Sequence, residues 1–113
     1  MEDIAARIVR EVGSWEGVTT HDHRFGGTEF RLGRRELGHL HGARWADVRF
    51  HKRLRDMLVE TGRAQPHHVL PHTGWVSKHI RSDADAAEVV ELFRLAWERA
   101  RVRERVEASR AEE

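Results

Sequence analysis

Residues 17–42 read GVTTHDHRFGGTEFRLGRRELGHLHG, and their period decides the fold. Apolar and polar side chains alternate through GVTTHDHR, GTEFRLG and RELGHLHG, and the pieces are separated by Gly26-Gly27 and by Gly33-Arg34. A period of two belongs to a strand, in which residues two apart share a face. The stretch therefore predicts three short strands joined as a meander.

Outward from this core the period changes. Ile4, Ile8, Val9 and Val12 recur at helical spacing before Gly13-Ser14, which predicts a helix over about residues 2–12. After the meander, Phe50, Leu54, Met57 and Leu58 share one helical stripe with Gly62 behind them, predicting a helix over about 50–61. Pro66 and Pro71 bracket HHVL in a loop over 63–73 with an extended portion, and WVSKHI alternates again as a fourth strand. Ser82 with Asp85 three residues on resembles a capping box, opening a long helix with Val89, Phe93, Ala96 and Ala100 on one stripe. The charged tail 101–113 is expected to be exposed or frayed. The order is α-β-β-β-α-β-α: an α+β fold with a four-stranded, mainly antiparallel sheet and helices on one face.

Composition narrows the function. A chain of 113 residues fits one domain, and 35% charged with 39% hydrophobic residues describes a soluble globular protein. Twenty basic and nineteen acidic side chains nearly cancel, which disfavours purely electrostatic binding to nucleic acid. There is no cysteine, so disulfides, thiolate nucleophiles and thiolate-ligated zinc or iron–sulfur clusters are excluded. No apolar run approaches the roughly 18 residues of a membrane span, so no membrane partner is expected and the cytoplasm is the default location.

Phe30, Leu32, Leu40, Val76 and Ile80 are the natural core-facing residues of their strands. Their alternates, Glu29 and Arg31, then Leu37, His39 and His41, then Trp75, Ser77 and His79, are expected on the opposite face, together with His21 and His23. The competing reading is an ordinary polar, solvated sheet face. His67 and His68, beside prolines, read as loop surface.

A histidine face supports two chemistries. Two imidazoles at i and i+2 on one strand can both reach one metal ion. GRRELGHLH matches the opening of the cupin motif, but three or four residues after His41, where that motif has an acid, stand Arg44 and Trp45; Asp47 arrives two residues beyond that window. The other chemistry is metal-free: a neutral imidazole near its ordinary pKa of about 6.5 removes a proton from an enol or phenol, and Arg31 holds the anion. Nucleophilic catalysis lacks a Gly-x-Ser-x-Gly elbow, and Ser77 has no identifiable orienting acid; Gly26-Gly27 is too short to cradle a phosphate.

The order of FGGTEFRLGRRELGHLHG and then ADVRFHKRLRDMLVETGRAQPHHVLPHTGWVSKHI resembles the luciferase-domain family, which includes the fungal luciferases and many small bacterial proteins. The resemblance is carried by the Gly26-Gly27 turn, Glu36 leading into His39-x-His41, the Asp47-to-Phe50 stretch, and Pro71 to Val76 with Gly74-Trp75. It spans about residues 17–100 of a single domain covering 1–113. It implies oxidation of a hydroxylated pyrone by O₂, with no cofactor beyond O₂ as co-substrate.

The leading expectation is thus a luciferase-like domain that binds an aromatic or enolic small molecule. His39 and His41 would serve as acid–base or substrate-polarising groups, Arg31 as anion holder and Trp75 as stacking wall, with His21, His23, His72 and His79 as further substrate-binding candidates. The alternatives are a metal centre built on His39 and His41, and a non-enzymatic interaction domain whose last helix forms a homodimer or meets another partner through Val102 and Val106.

Overall fold

Alternation in the 17–42 stretch does produce a meander of three antiparallel strands: β1 (Val18–Asp22), β2 (Thr28–Leu32) and β3 (Arg35–His41). The computed structural model describes residues 3–23 and 26–112. The expected start of the first helix at residue 2, the end of the first strand at Arg24 and the chain's last residue lie outside these. Around the meander stand α1 (Ile4–Gly13), β4 (Trp45–Arg49), α2 (Lys52–Glu60), β5 (Gln65–Pro66), β6 (Trp75–His79) and α3 (Asp83–Ala111).

The fold is α+β, but its sheet has six strands in the order β1-β2-β3-β4-β6-β5, all antiparallel, where four were expected. Both additional strands arise from tertiary pairing. WADVR pairs with β3 on one side and β6 on the other, and the two residues of β5 pair with Ser77 and Val76. The expected second helix absorbed the approach to β4's end: Phe50 precedes α2 and donates its N–H to the Gly74 carbonyl at 2.9 Å. Met57, placed on the apolar stripe, is exposed, whereas Leu54 and Leu58 are buried.

One core is shared by the sheet and all three helices, through Ile8 and Val12 of α1, Leu54 and Leu58 of α2, and Val89, Leu92, Phe93, Ala96 and Trp97 of α3. Phe30 meets Phe93 edge-on with ring centres 4.9 Å apart, and both are fully buried. Burial of a side chain of this size contributes about 1.5–3 kcal/mol. Ser82 caps α3 by accepting the Asp85 N–H, while the Asp85 side chain accepts from Arg81, one residue before the cap. The helix continues through the charged tail, leaving Val102 and Val106 exposed.

Strict alternation fails at one place in β3. Phe30 lies opposite Gly38 but Arg31 lies opposite Glu36, so Leu37 is an extra residue, a β-bulge. Leu37 is buried in the core, not on the histidine face as expected. The inserted residue also moves Glu36 to the side of His39 and His41.

Candidate functional site

The pairing register lines up one row of residues across the sheet. His21 lies opposite Glu29, Glu29 opposite His39, His39 opposite Asp47, Asp47 opposite Ser77, and Ser77 opposite Gln65. A neighbouring row runs from His41 to Trp45 to His79. Cross-strand neighbours point to the same face, so these rows bring chemistry together that is far apart in sequence.

Asp47 is the centre. Its side chain is 1% exposed. Oδ2 accepts a hydrogen bond from His41 Nε2 at 2.9 Å and stands 3.2 Å from His39 Nε2 and 3.5 Å from His67 Nε2. Oδ1 accepts from the buried Ser77 hydroxyl at 2.6 Å. On the other side of its ring, His39 Nδ1 is 2.7 Å from Glu36 Oε2. Aromatic rings wall the cluster: His23 stacks on His39 at 4.1 Å, Trp45 stacks on His41 at 4.4 Å, and Trp75 leans on His39 at 5.4 Å. The Trp45 indole N–H is buried without a hydrogen-bond partner.

Burial opposes charge on every member, and the carboxylates decide which ring holds a proton. At His39 burial favours the neutral ring, but hydrogen bonds to Asp47 and Glu36 outweigh it and push the pKa up to about 9. At His41 burial prevails over the Asp47 bond, helped by the neighbouring His39 and His23, and the pKa falls below 6.5. His67 falls too, from burial offset only in part by Asp47. Burial would raise Asp47, yet the bond from His39, then Ser77, the nearby His67 and the bond from His41 hold it well below the usual carboxylate range.

These directions predict a pH window. A group whose folded pKa is raised contributes stability that is complete below its unfolded pKa and lost as pH rises through the folded value. For His39 the loss falls between 6.5 and about 9. At roughly 1.4 kcal/mol per pH unit, it amounts to about 3 kcal/mol at most. The lowered groups act elsewhere: His41 and His67 contribute above 6.5 and lose stability as pH falls below it, and Asp47 does so below 3.8. Urea unfolding of chelator-treated protein should show wild type weakening between pH 6.5 and 9.5 and His39→Gln staying flat; parallel curves would contradict the assignment.

Of the candidates read from sequence, the structure brings His39, His41, His23 and Trp75 together. His79 reaches Trp45 at 6.2 Å, in the adjoining row. Arg31 pairs with Glu29 on its own strand, and no described contact joins it to the cluster. His21 bonds Thr19 Oγ1 at 2.8 Å on the edge strand β1, and His72 is exposed on the loop before β6. His67 and His68 are not merely loop surface: His67 reaches Asp47, and His68 stacks on His67 and meets Trp45 edge-on. Ser77 does have an acid beside it, Asp47, to which it donates.

Asp47, Glu36, His67, His68 and Trp45 were missed as site residues. For Asp47 the signal was present: a hairpin turning at 42–44 places it opposite His39. For Glu36 the signal was Gly38, since an isolated glycine within a strand pattern often marks a bulge.

A family model for the luciferase domain matches residues 34–96, more than half of the chain. The chain belongs to the luciferase-domain family. The matched region holds Glu36, His39, His41, Trp45, Asp47, His67, His68, Trp75 and Ser77, so the luciferase-domain match contains the whole cluster except His23. It is narrower than the expected 17–100 and leaves out the Gly26-Gly27 turn. Neither the curated proteins nor the solved structures yield a match. Among the described residues, no helix is long and apolar enough to cross a membrane.

Proposed function

We propose that this luciferase-domain protein binds an aromatic or enolic small molecule on the histidine face and polarises its oxygen with the imidazole–carboxylate cluster. The observation that carries the reading is the convergence of His39, His41 and His67 on one buried carboxylate between Trp45 and Trp75. A polar, solvated face would leave its histidines dispersed and hydrated. Here they are gathered in a partly dry setting, where hydrogen bonds and charges act more strongly than in water. The two indoles supply flat apolar walls for a ring. The family resemblance adds the reaction: oxidation of a hydroxylated pyrone by O₂.

The test is a titration of untagged protein with a hydroxylated pyrone, following tryptophan fluorescence and oxygen uptake together. Saturable quenching is expected, weakened by about tenfold or more in His39→Ala and His41→Ala, the cost of roughly 1.4 kcal/mol in binding. His72→Ala, exposed on its loop, should bind as wild type does. Quenching that never saturates, or equal affinity in all three variants, would remove the reading. Oxygen uptake that stays at the buffer rate while binding persists would remove the oxidation alone.

A further inference from the structure

We propose that His39, His41 and Asp47 hold a divalent first-row transition-metal ion, and that this ion is what meets the oxygen of the small molecule; the second clause rests on the binding function proposed above. The argument begins with spacing. Ligands about 2.1 Å from an ion stand roughly 3.0 Å apart when at right angles and roughly 3.4 Å apart in a tetrahedron. Asp47 Oδ2 is 2.9 Å from His41 Nε2 and 3.2 Å from His39 Nε2, and the three donor atoms lie within 4.8 Å of one another. The two edges that meet at Asp47 Oδ2 therefore already have the lengths of a coordination site.

Its supporting partners match as well. A metal-bound histidine usually donates its other ring N–H to a carboxylate or carbonyl, which fixes the tautomer and the ring. His39 presents Nε2 to Asp47 and Nδ1 to Glu36 at 2.7 Å, an orientation that exists because the bulge at Leu37 turns Glu36 to this face. Asp47 likewise uses Oδ1 for the Ser77 hydroxyl, leaving Oδ2 toward the imidazoles.

Competition for Oδ2 points the same way. The oxygen has about two lone pairs, yet three imidazole nitrogens approach it within 3.5 Å. A cation gives each nitrogen lone pair a partner that one carboxylate oxygen cannot.

The donor set selects the class of ion. Two imidazoles and one carboxylate, without thiolate, suit iron(II) and its divalent neighbours, and such a three-donor face leaves coordination positions open for an oxygen ligand. An enolate or phenolate oxygen is the ligand chemistry this predicts. Asp47 with His67 and His68 forms another possible trio. The strand-borne trio is preferred because both its imidazoles sit on paired strands and His39 is oriented from behind, whereas His67 and His68 lie on a loop.

Cobalt(II) is the probe. Untagged protein is stripped with chelator, titrated with Co(II) and followed by visible d–d absorption. Saturation at one equivalent is expected, with affinity falling about 100-fold or more in Asp47→Asn and His41→Gln, and about tenfold in Glu36→Gln, the size of an orienting partner's effect. His72→Ala should leave the titration unchanged. No saturable absorption from folded wild type, or equal affinity in His41→Gln, overturns the proposal; so does an equal loss in His72→Ala, which would mark dispersed surface binding. Near-UV circular dichroism checks folding, and the partly exposed His41 carries the test if Asp47→Asn does not fold. Pyrone binding to the stripped protein, alongside absent Co(II) binding, would overturn the metal while leaving the small-molecule function standing. Co(II) binding without pyrone binding does the reverse.

Discussion

Asp47→Ala is expected to lose about 3–5 kcal/mol of stability at pH 7, measured by urea unfolding of chelator-treated protein, because a buried charged group loses the partner that compensates it. The side chain is 1% exposed and faces His39, His41, His67 and Ser77. Removing it leaves the Ser77 hydroxyl and two imidazole N–H groups without their acceptor. His39 keeps Glu36, which limits the damage. Against a total of roughly 5–15 kcal/mol for a domain, the loss is large. Ser77→Ala removes one hydroxyl donor and should cost only about 1–2 kcal/mol. A loss below about 1 kcal/mol in Asp47→Ala would mean that the convergence carries little structural energy.

Gly38→Ala is expected to be comparably severe, for steric reasons. A Cβ at position 38 would stand 2.3 Å from the Asp47 carbonyl oxygen and 2.9 Å from both Val48 Cα and a ring carbon of Phe93. Backbone of the paired strand cannot step aside without breaking the β3–β4 ladder. The cost should reach about 4 kcal/mol or more, beyond the usual range for a single substitution, with a fall in Tm of roughly 15 °C or more. Gly42→Ala is the informative contrast. Gly42 has φ 58° and nothing within 4 Å of the added carbon, so only the left-handed backbone penalty of about 1–2 kcal/mol applies. Equal losses at the two positions, read by thermal unfolding, would show that backbone conformation dominates over contact at Gly38.

Legibility in the sequence followed the range of the interactions. Strands β1 to β3 and helices α1 and α3 were readable because alternation and helical spacing are local, and Phe30 and Phe93 announce themselves as core. β4 was not read, since WADVR mixes an indole, two charges and two small apolar residues, and its strand character comes from neighbours on both sides. His39 and His41 stood out as a pair, but Asp47 becomes their companion only through register. His67 depends on where a loop passes, which no periodicity encodes. Arg31 was assigned to an anion because its face was right; its nearest partner, Glu29, sits two residues away on the same strand and satisfies it locally.

The extra residue in β3 gives that strand something like a reading frame. Leu37 is what lets Glu36 and His39, three residues apart, share a face; losing Leu37 would restore plain alternation and leave both there, whereas losing one residue between Gly38 and His41 would turn every later side chain of the strand to the other face. Changes of two residues would restore the phase and shift the cluster along the strand instead. Among relatives that keep this face, length differences should therefore gather in the turns and at the bulge, and be barred, one at a time, from the rest of the strand.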